Sequence, residues 1–363
     1  VAVVDFSLPK KLTVWTPTQG ISNCQRDLAR DLDLPPADVR VVCEYMGGGF
    51  GNKNQCQDSD LIAAVLARET GSAVKLEYTR KEDFLGTHGR WPTRQYYRVG
   101  ATRDGTLQAI ELRGYSGLGP HRKSSGGIAG IELFRCPNVR RVVHPTYTNM
   151  TVSANFRGPS YPQGVWGIES MMDQMAHELE IDPVAFHLKN VSRAYMDETP
   201  YTSWALAECI ERGAEIFDWA SRWRRAGVGE TAVRRGVGMA TGAFSARTGR
   251  SSALLRLDGA GHLWVHVGVT DIGTAAKTTM ALLAAEAMEM RLDDVRVVWG
   301  DTDRCPFSVG ESGSRTTVQT GDAVLAAAAD LKQQLSARGR PLGDAVLVAE
   351  ATTNPRIEGM TRY

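Results

Sequence analysis

The sequence predicts an α+β protein of two modules, each a mixed sheet with packed helices, and three observations predict it. Runs of period-two alternation, such as Leu12–Thr16 and Val39–Cys43, interleave with runs of helical period, such as Asn23–Asp33 and Val165–Leu179. A strand, a loop, a helix and a closing Asp-Val-Arg-Val-Val segment occur twice, ending at residues 38–42 and again at 294–298. An Arg- and Gly-rich stretch, Ser221–Arg235, reads as the linker and divides the chain into 1–222 and 223–363.

Taken in order, the helix over Asn23–Asp33 is stopped by Pro35-Pro36, and the strand Val39–Cys43 leads into the glycine-rich loop Tyr45–Lys53. The next helix, Asp58–Glu69, ends at Gly71. Strands follow at Ala73–Tyr78, Tyr96–Ala101 and Leu107–Tyr115, the last two joined by a turn at Arg103-Asp104-Gly105. Gly117–Gly130 reads as a long loop. Asp182-Pro183 opens a helix, with Asp as cap and Pro in the first turn, and Ala205–Trp219 forms another. The second half starts with strands at Gly236–Phe244 and Ser252–Leu257. It closes with a helix over Asp322–Arg338, after a loop of small residues, Gly310–Thr317.

Composition narrows the function. With 42 basic and 41 acidic residues among 363, the net charge of +1 implies neither a nucleic-acid partner nor a membrane surface. There is no apolar run of spanning length and no secretory leader, although the chain starts abruptly at Val1. The six cysteines are scattered without a Cys-x-x-Cys pair, so they read as reduced thiols of a cytoplasmic protein, with no zinc or iron–sulfur site in this chain.

Chemistry concentrates in four loops. Gly47-Gly48-Gly49-Phe50-Gly51 removes Cβ atoms from a strand-to-helix turn, so that backbone N–H groups can approach an oxyanion closely. Phe50 reads either as a core residue of a plain turn or as a ring facing a pocket. The loop lacks the Gly-Lys-Ser/Thr ending of a P-loop and the glycine spacing of a dinucleotide fingerprint. Thr18-Gln19-Gly20, Asn155–Gly164 and Gly310–Thr317 also set small residues beside an amide, a guanidinium or hydroxyls. Such donors suit a large anionic, oxygen-rich cofactor, and with no His, Cys or carboxylate in ligand spacing, a metal must arrive with its own ligands.

Thr18-Gln19, Gly47–Gly51 with Lys53, Thr79–Asp83, Phe156-Arg157-Gly158 with Pro162-Gln163-Gly164, and Gly313–Thr317 occur in this order. Together they resemble the molybdenum-binding subunit of the xanthine dehydrogenase and aldehyde oxidase family, from about Leu12 to about Leu331. The resemblance implies two molybdopterin-binding domains, with 223–363 only the N-terminal part of the second. It implies molybdopterin in its cytosine dinucleotide form, and hydroxylation of an aromatic N-heterocycle or an aldehyde with oxygen from water. Electrons would pass to [2Fe-2S] clusters and FAD on an iron–sulfur subunit and an FAD subunit. Gln19 would approach the molybdenum through its amide and act in catalysis. Gly49, Phe50 and Gly51 would lie beside the oxo ligand, with Arg157 near the molybdenum-proximal part of the cofactor. Gly273, Thr274, Gly313, Ser314, Arg315 and Thr316 would hold pterin and phosphate groups.

The departures from the family pattern are specific. The Gly-x-Gly-Glu segment carrying the family's catalytic base is absent before Tyr363, and Gly310-Glu311 resembles it only superficially. The expectation is a fragment, or a subunit whose acid comes from a second molybdenum-subunit chain; a non-catalytic cofactor-binding scaffold is the alternative. Asn54, Ile131 and Pro159 stand at or near positions where purine oxidisers carry Glu, Arg and Phe, and Gly158 stands where carbon monoxide oxidisers carry Cys. Ala275 replaces a family glycine. His88, His121 and the charged run Arg80–Asp83 are read as structural or solvated.

Overall fold

A computed structural model describes residues 2–8, 11–121, 123–195, 200–201, 203–225, 233, 235–338 and 345–354. The chain opens with β1 (Ala2–Leu8), β2 (Lys11–Trp15), α1 (Ile21–Asp31), β3 (Val39–Val42), α2 (Asp58–Thr70), β4 (Val74–Leu76) and α3 (Arg80–Gly86). Their sheet has the order β3-β2-β1-β4. β2 and β3 run parallel with Leu12 opposite Val39 and Val14 opposite Val41, and alternation drives all four side chains to full burial. Ile21, Cys24 and Leu28 of α1 and Ala63, Ala64 and Ala67 of α2 complete that core. α2 starts with a capping box between Gln57 and Asp60 and stops at left-handed Gly71. The charged run Arg80–Asp83 falls in α3, capped by Thr79 and Glu82 and largely exposed.

The middle of the chain supplies β5 (Thr93–Ala101), β6 (Leu107–Gly117), β7 (Asn138–Thr146), α4 (Tyr161–Glu178), α5 (Pro183–Asn190), α6 (Leu206–Phe217) and α7 (Trp219–Arg222). β6 lies between antiparallel β5 and parallel β7. Ile110 and Leu112 pack against Ile168 and Met172 of α4 and Phe186 of α5, whose cap Asp182 accepts from the N–H groups of Val184 and Ala185. A buried polar cluster ties these helices together. Glu169 accepts from His187 Nε2 at 2.7 Å and from the Thr241 hydroxyl, while His187 Nδ1 lies 2.7 Å from the Pro183 carbonyl. Both partners of the ring only accept, so both ring nitrogens carry protons. Burial opposes the imidazolium, but Glu169 outweighs it and raises the His187 pKa.

The second half contains β8 (Ser251–Leu257), β9 (Leu263–Val267), α8 (Ala276–Met288), β10 (Val295–Trp299), α9 (Thr316–Arg338) and β11 (Leu347–Thr353). Its sheet order, β10-β9-β8-β11, repeats that of the first module strand for strand. Leu263 pairs in parallel with Val295 as Leu12 does with Val39, and a single 3-10 turn precedes each closing strand. The duplicated pentapeptide therefore marks a duplicated βαβ unit.

The described residues group differently from the expected 1–222 and 223–363: those up to Thr87 join those from Ser245 onward, and His88–Phe244 form a second unit. The reason is that the two repeated sheets meet at the ends of β3 and β10. Cys43 N–H donates to Gly300 O at 2.6 Å, Thr302 N–H donates to Val41 O at 3.1 Å, and Arg40 grips both carboxylate oxygens of Asp301. Gly300 is held in a left-handed conformation, where a Cβ would come within 2.4 Å of the Cys43 carbonyl.

Expectations for individual elements are corrected. Gly236–Phe244 forms no strand, since its described backbone joins no ladder, and α9 begins at Thr316 rather than Asp322. β1, β7, β11 and α3 were not expected. Of the expected linker, residues 226–232 and 234 lie outside the described residues. Among the described residues no helix is long and apolar enough to cross a membrane.

Replacing Glu169 by Gln strands the buried imidazolium. The expected cost is about 3 kcal/mol at pH 6, read from urea unfolding. Because the folded-state pKa of His187 is raised, this stabilisation is complete below the unfolded value and lost as pH rises through the folded one, so the difference between Glu169→Gln and wild type should shrink with pH.

Candidate functional site

The four loops that follow β2, β3, β9 and β10 all leave the carboxyl ends of the two parallel pairs, the edge at which open α/β sheets place their ligands. Each loop feeds a helix. α2 neutralises its own N-terminus with Asp58 and Asp60, but α1, α8 and α9 have no acidic residue in their first turns, and neither Gly20 nor Ala275 caps its helix with a side chain. Their N-terminal fields stay available to an anion.

Gln19, only 3% exposed, fastens two of these loops together. Its Oε1 accepts from Gly51 N–H at 2.8 Å and Lys53 N–H at 3.3 Å, and its Nε2 donates to the Glu311 carbonyl at 2.6 Å. Its backbone repeats the link, donating to Lys53 O at 2.8 Å and accepting from Glu311 N–H at 2.7 Å. The glycines beside it are steric necessities. A Cβ at Gly49 would lie 2.5 Å from Gln19 Oε1, and one at Gly310 would lie 2.7 Å from Gln19 O. Gly51 N–H, expected beside an oxo ligand, is thus engaged by Gln19. Phe50 is not core: it is 56% exposed and held at φ 53°. Asn54 Oδ1 is buried without a partner.

The loop after β10 carries the charge chemistry. Glu311 is 3% exposed; its Oε2 accepts from the Thr316 hydroxyl and its Oε1 has no partner. Burial, with a contribution from Asp271, pushes its carboxyl up to about 8. Buried Thr270 Oγ1, Thr320 Oγ1 and both amide atoms of fully buried Gln319 are likewise unpartnered. Beside them two guanidinium groups come together. Arg315 Nε donates to Ser312 O, Arg247 N–H donates to Gly313 O, and burial followed by the charge of Arg247 lowers the Arg315 pKa. Two adjacent cations and a row of orphaned polar atoms at the start of α9 form a cradle for an anionic, hydrogen-bonding group.

The structure brings together Gln19, Gly49, Gly51, Gly313, Ser314, Arg315 and Thr316 through these contacts. Gly273 and Thr274 sit exposed on the loop after β9, with Gly273 N–H donating to Asp271 Oδ1 at 2.9 Å. Arg157 lies in the second unit with an exposed side chain, its carbonyl accepting from Arg90. Arg90 also donates to Gly158 O and Gln163 Oε1, both at 3.2 Å, and stacks on Phe156, so it shapes that loop. Ile131, near the family's arginine position, is buried core. Sequence reasoning missed Arg90, Arg247, Thr270, Gln319 and Thr320, and it set Glu311 aside. For Glu311 the signal was a lone carboxylate among the Gly, Ser and Thr residues of a loop whose other charge is Arg315.

Residues 1–191 and 211–352 match the family described as molybdopterin cofactor-binding domain. The chain is 33% identical over 345 residues to the xanthine dehydrogenase molybdenum-binding subunit of Escherichia coli O157:H7, covering 90% of this chain and 46% of that protein. It is 31% identical over 332 residues to the aldehyde oxidoreductase molybdenum-binding subunit PaoC of Escherichia coli K12, covering 90% of this chain and 45% of that protein. Among solved structures, the aldehyde oxidoreductase from Desulfovibrio gigas aligns with a TM-score of 0.82 at 25% identity, over 97% of this chain and 41% of the other. The chain spans about half the length of the curated relatives it matches.

Two stability predictions follow from the geometry. The folded state retains a Glu311 proton that the unfolded chain releases above its ordinary value of 4.5, so wild-type stability falls as pH rises from there to about 8. Glu311→Gln should flatten that slope, gaining on the order of a few kcal/mol relative to wild type between pH 5 and pH 9 in urea titrations. Ala275 sits at φ 57° with its side chain exposed, so Ala275→Gly should raise stability by about 1 kcal/mol in the same assay.

Proposed function

Because the chain belongs to the molybdopterin cofactor-binding family, we propose that it is the cofactor-binding component of a multi-subunit hydroxylase, with the loops after β2, β3, β9 and β10 as the cradle. The observation that carries this reading is the set of buried, unpartnered polar atoms of Thr270, Glu311, Gln319 and Thr320 beside the Arg247–Arg315 pair. A pterin with a phosphate tail offers the hydrogen-bonding edges and the negative charge that such a set lacks.

When bound, the molybdenum cofactor supplies oxygen transfer from water and takes up the substrate's two electrons. The remaining roles fall to the chain. Arg247 and Arg315 would pair with phosphate oxygens, with N–H groups of the first turn of α9 and the Ser314 and Thr316 segment completing the grip. Glu311, neutral below about pH 8, avoids a second negative charge beside that phosphate. Gln19 holds the glycine loop in the shape that presents Phe50, while Gly273 and Thr274 close the cradle from the loop after β9. Arg157 is assigned to the molybdenum-proximal end.

The cytosine dinucleotide form is proposed, together with [2Fe-2S] and FAD on partner subunits in the cytoplasm. Asn54 can offer one hydrogen bond but no charge, and Pro159 cannot stack as a Phe would, which favours an aldehyde or a non-purine N-heterocycle.

The test is cofactor content after co-expression with partner subunits in a host that makes the cofactor. About one molybdenum and one pterin per chain are expected, with cytidine monophosphate released on acid hydrolysis. Arg247→Ala/Arg315→Ala should lose at least about tenfold of the bound pterin, equivalent to ~1.4 kcal/mol. Folded protein with neither metal nor pterin would overturn the reading in favour of a scaffold.

A further inference from the structure

At the root of the glycine loop, Cys24 of α1, Cys56 of the loop and Asp60 of α2 place one ligand atom each within 4.8 Å of one another. The sequence expectation of no metal site rested on the absence of a Cys-x-x-Cys pair, yet the fold assembles three donors from separate turns. We propose that Cys24, Cys56 and Asp60 bind a soft divalent cation of the zinc type, a structural site distinct from the pterin cradle and independent of the cofactor reading.

Tetrahedral zinc with sulfur at 2.3 Å and oxygen near 2.0 Å requires sulfur–sulfur separations of about 3.8 Å and sulfur–oxygen separations of about 3.5 Å. The Cys56 sulfur lies 3.8 Å from Asp60 Oδ2, slightly wider than that face, and the three atoms lie within 4.8 Å of one another, so a small inward turn of the side chains would close it around a cation. The carboxylate is also oriented from behind. Thr16 Oγ1 donates to Asp60 Oδ1 at 2.7 Å and Gln57 N–H donates to Oδ2 at 2.9 Å, which is how outer hydrogen bonds commonly fix a ligating carboxylate. Asp60 is 1% exposed, and no lysine or arginine among the described residues forms an ion pair with it. A buried carboxylate without a lysine or arginine partner is costly, and a bound dication would reduce that cost.

Cys24 is fully buried and Cys56 only partly, so the site opens to solvent on the Cys56 side, where water can take the fourth position. The hydrogen bond from Cys56, then burial, holds the Cys24 thiol well above its usual range, and Asp60 and Asp27 reinforce the shift. Without metal the Cys24 thiol therefore stays protonated. Binding exchanges the two thiol protons for the cation and releases both to solvent, with no change of oxidation state. The consequence is mechanical: α1, α2 and the exit of the glycine loop become one cross-linked corner, adding to the Gln57 side-chain bond to Asn52 O at 3.0 Å.

The probe is Co²⁺, added anaerobically to the reduced, metal-stripped chain, with Zn²⁺ as competitor. One equivalent should give tetrahedral d–d bands and a thiolate-to-cobalt charge-transfer band, both bleached by Zn²⁺. Cys56→Ser and Asp60→Asn should each weaken Co²⁺ binding at least about tenfold, whereas Cys209→Ser, which removes an exposed thiol elsewhere, should leave the spectrum unchanged. Zn²⁺ should also raise the melting temperature of wild type and not of Cys56→Ser. Charge transfer that survives in Cys56→Ser, or wild type showing only octahedral bands, would overturn the proposal. Either result stands whether or not the chain carries molybdenum.

Discussion

One side-chain amide sets the geometry on which the cradle depends. Gln19 uses its carbonyl oxygen to collect two N–H groups of the glycine loop and its nitrogen to hold the carbonyl of Glu311. These partners belong to the two repeated modules, more than 290 positions apart along the chain in the case of Glu311. Each group would be a buried orphan without it, at a cost of about 1–3 kcal/mol apiece. The amide also fixes what its neighbours can be, since the chain at Gly49 and Gly310 passes too close to Gln19 for any side chain. Glycine in these loops thus answers to the packing of one glutamine as much as to any ligand.

The charges around the cradle follow from the same compression. Pulling the loop after β10 against Gln19 buries the Glu311 carboxyl, and burial keeps it protonated toward pH 8. The same loop draws Arg315 toward Arg247, where desolvation and like charge both act against it. A neutral acid beside two guanidinium groups leaves a net positive patch, with Arg315 partly withdrawn from water and Arg247 exposed to it. An anionic group placed there would relieve the repulsion instead of adding to it, which is the electrostatic basis of the proposed phosphate contact.

Much of the fold could be read directly because its signals are local. Alternation located β2, β3, β5, β6 and β10, and Asp182-Pro183 located the start of α5, since both depend on residues a few positions apart. The repeat was legible for the same reason, as identical pentapeptides occupy the same register in both sheets. What could not be read depends on distance. β1 and β11 are short antiparallel partners placed by strands elsewhere, and the grouping of residues up to Thr87 with those from Ser245 arises from contacts such as Arg40 to Asp301. The site divides in the same way. Gln19, Arg315 and Thr316 sit in recognisable motifs, whereas Gln319 and Thr320 look like ordinary helical residues until burial removes their partners. Cys24, Cys56 and Asp60 carry no spacing signal at all, because α1 and α2 supply their convergence.

Backbone strain shows how tightly these loops are specified. Three non-glycine residues in them, Phe50, Ala275 and Ser314, have φ between 53° and 57°, a region that costs an L-residue roughly 1–2 kcal/mol each. A free loop would relax away from such values. These do not, because Gln19 pins the turn at Phe50 from inside, α8 begins immediately after Ala275, and α9 begins two residues after Ser314. Ala275 and Ser314 lie where a strand's exit turns into a helix whose N-terminus faces the same edge of the parallel pairs, whereas Phe50 lies inside the glycine loop, well before α2 begins at Asp58. The strain at Ala275 and Ser314 therefore goes with starting α8 and α9 just beyond a left-handed residue, while that at Phe50 goes with the bonds Gln19 makes to the glycine loop. Holding the N–H groups in place by these contacts spares the ordering that a free loop would need each time a ligand arrived.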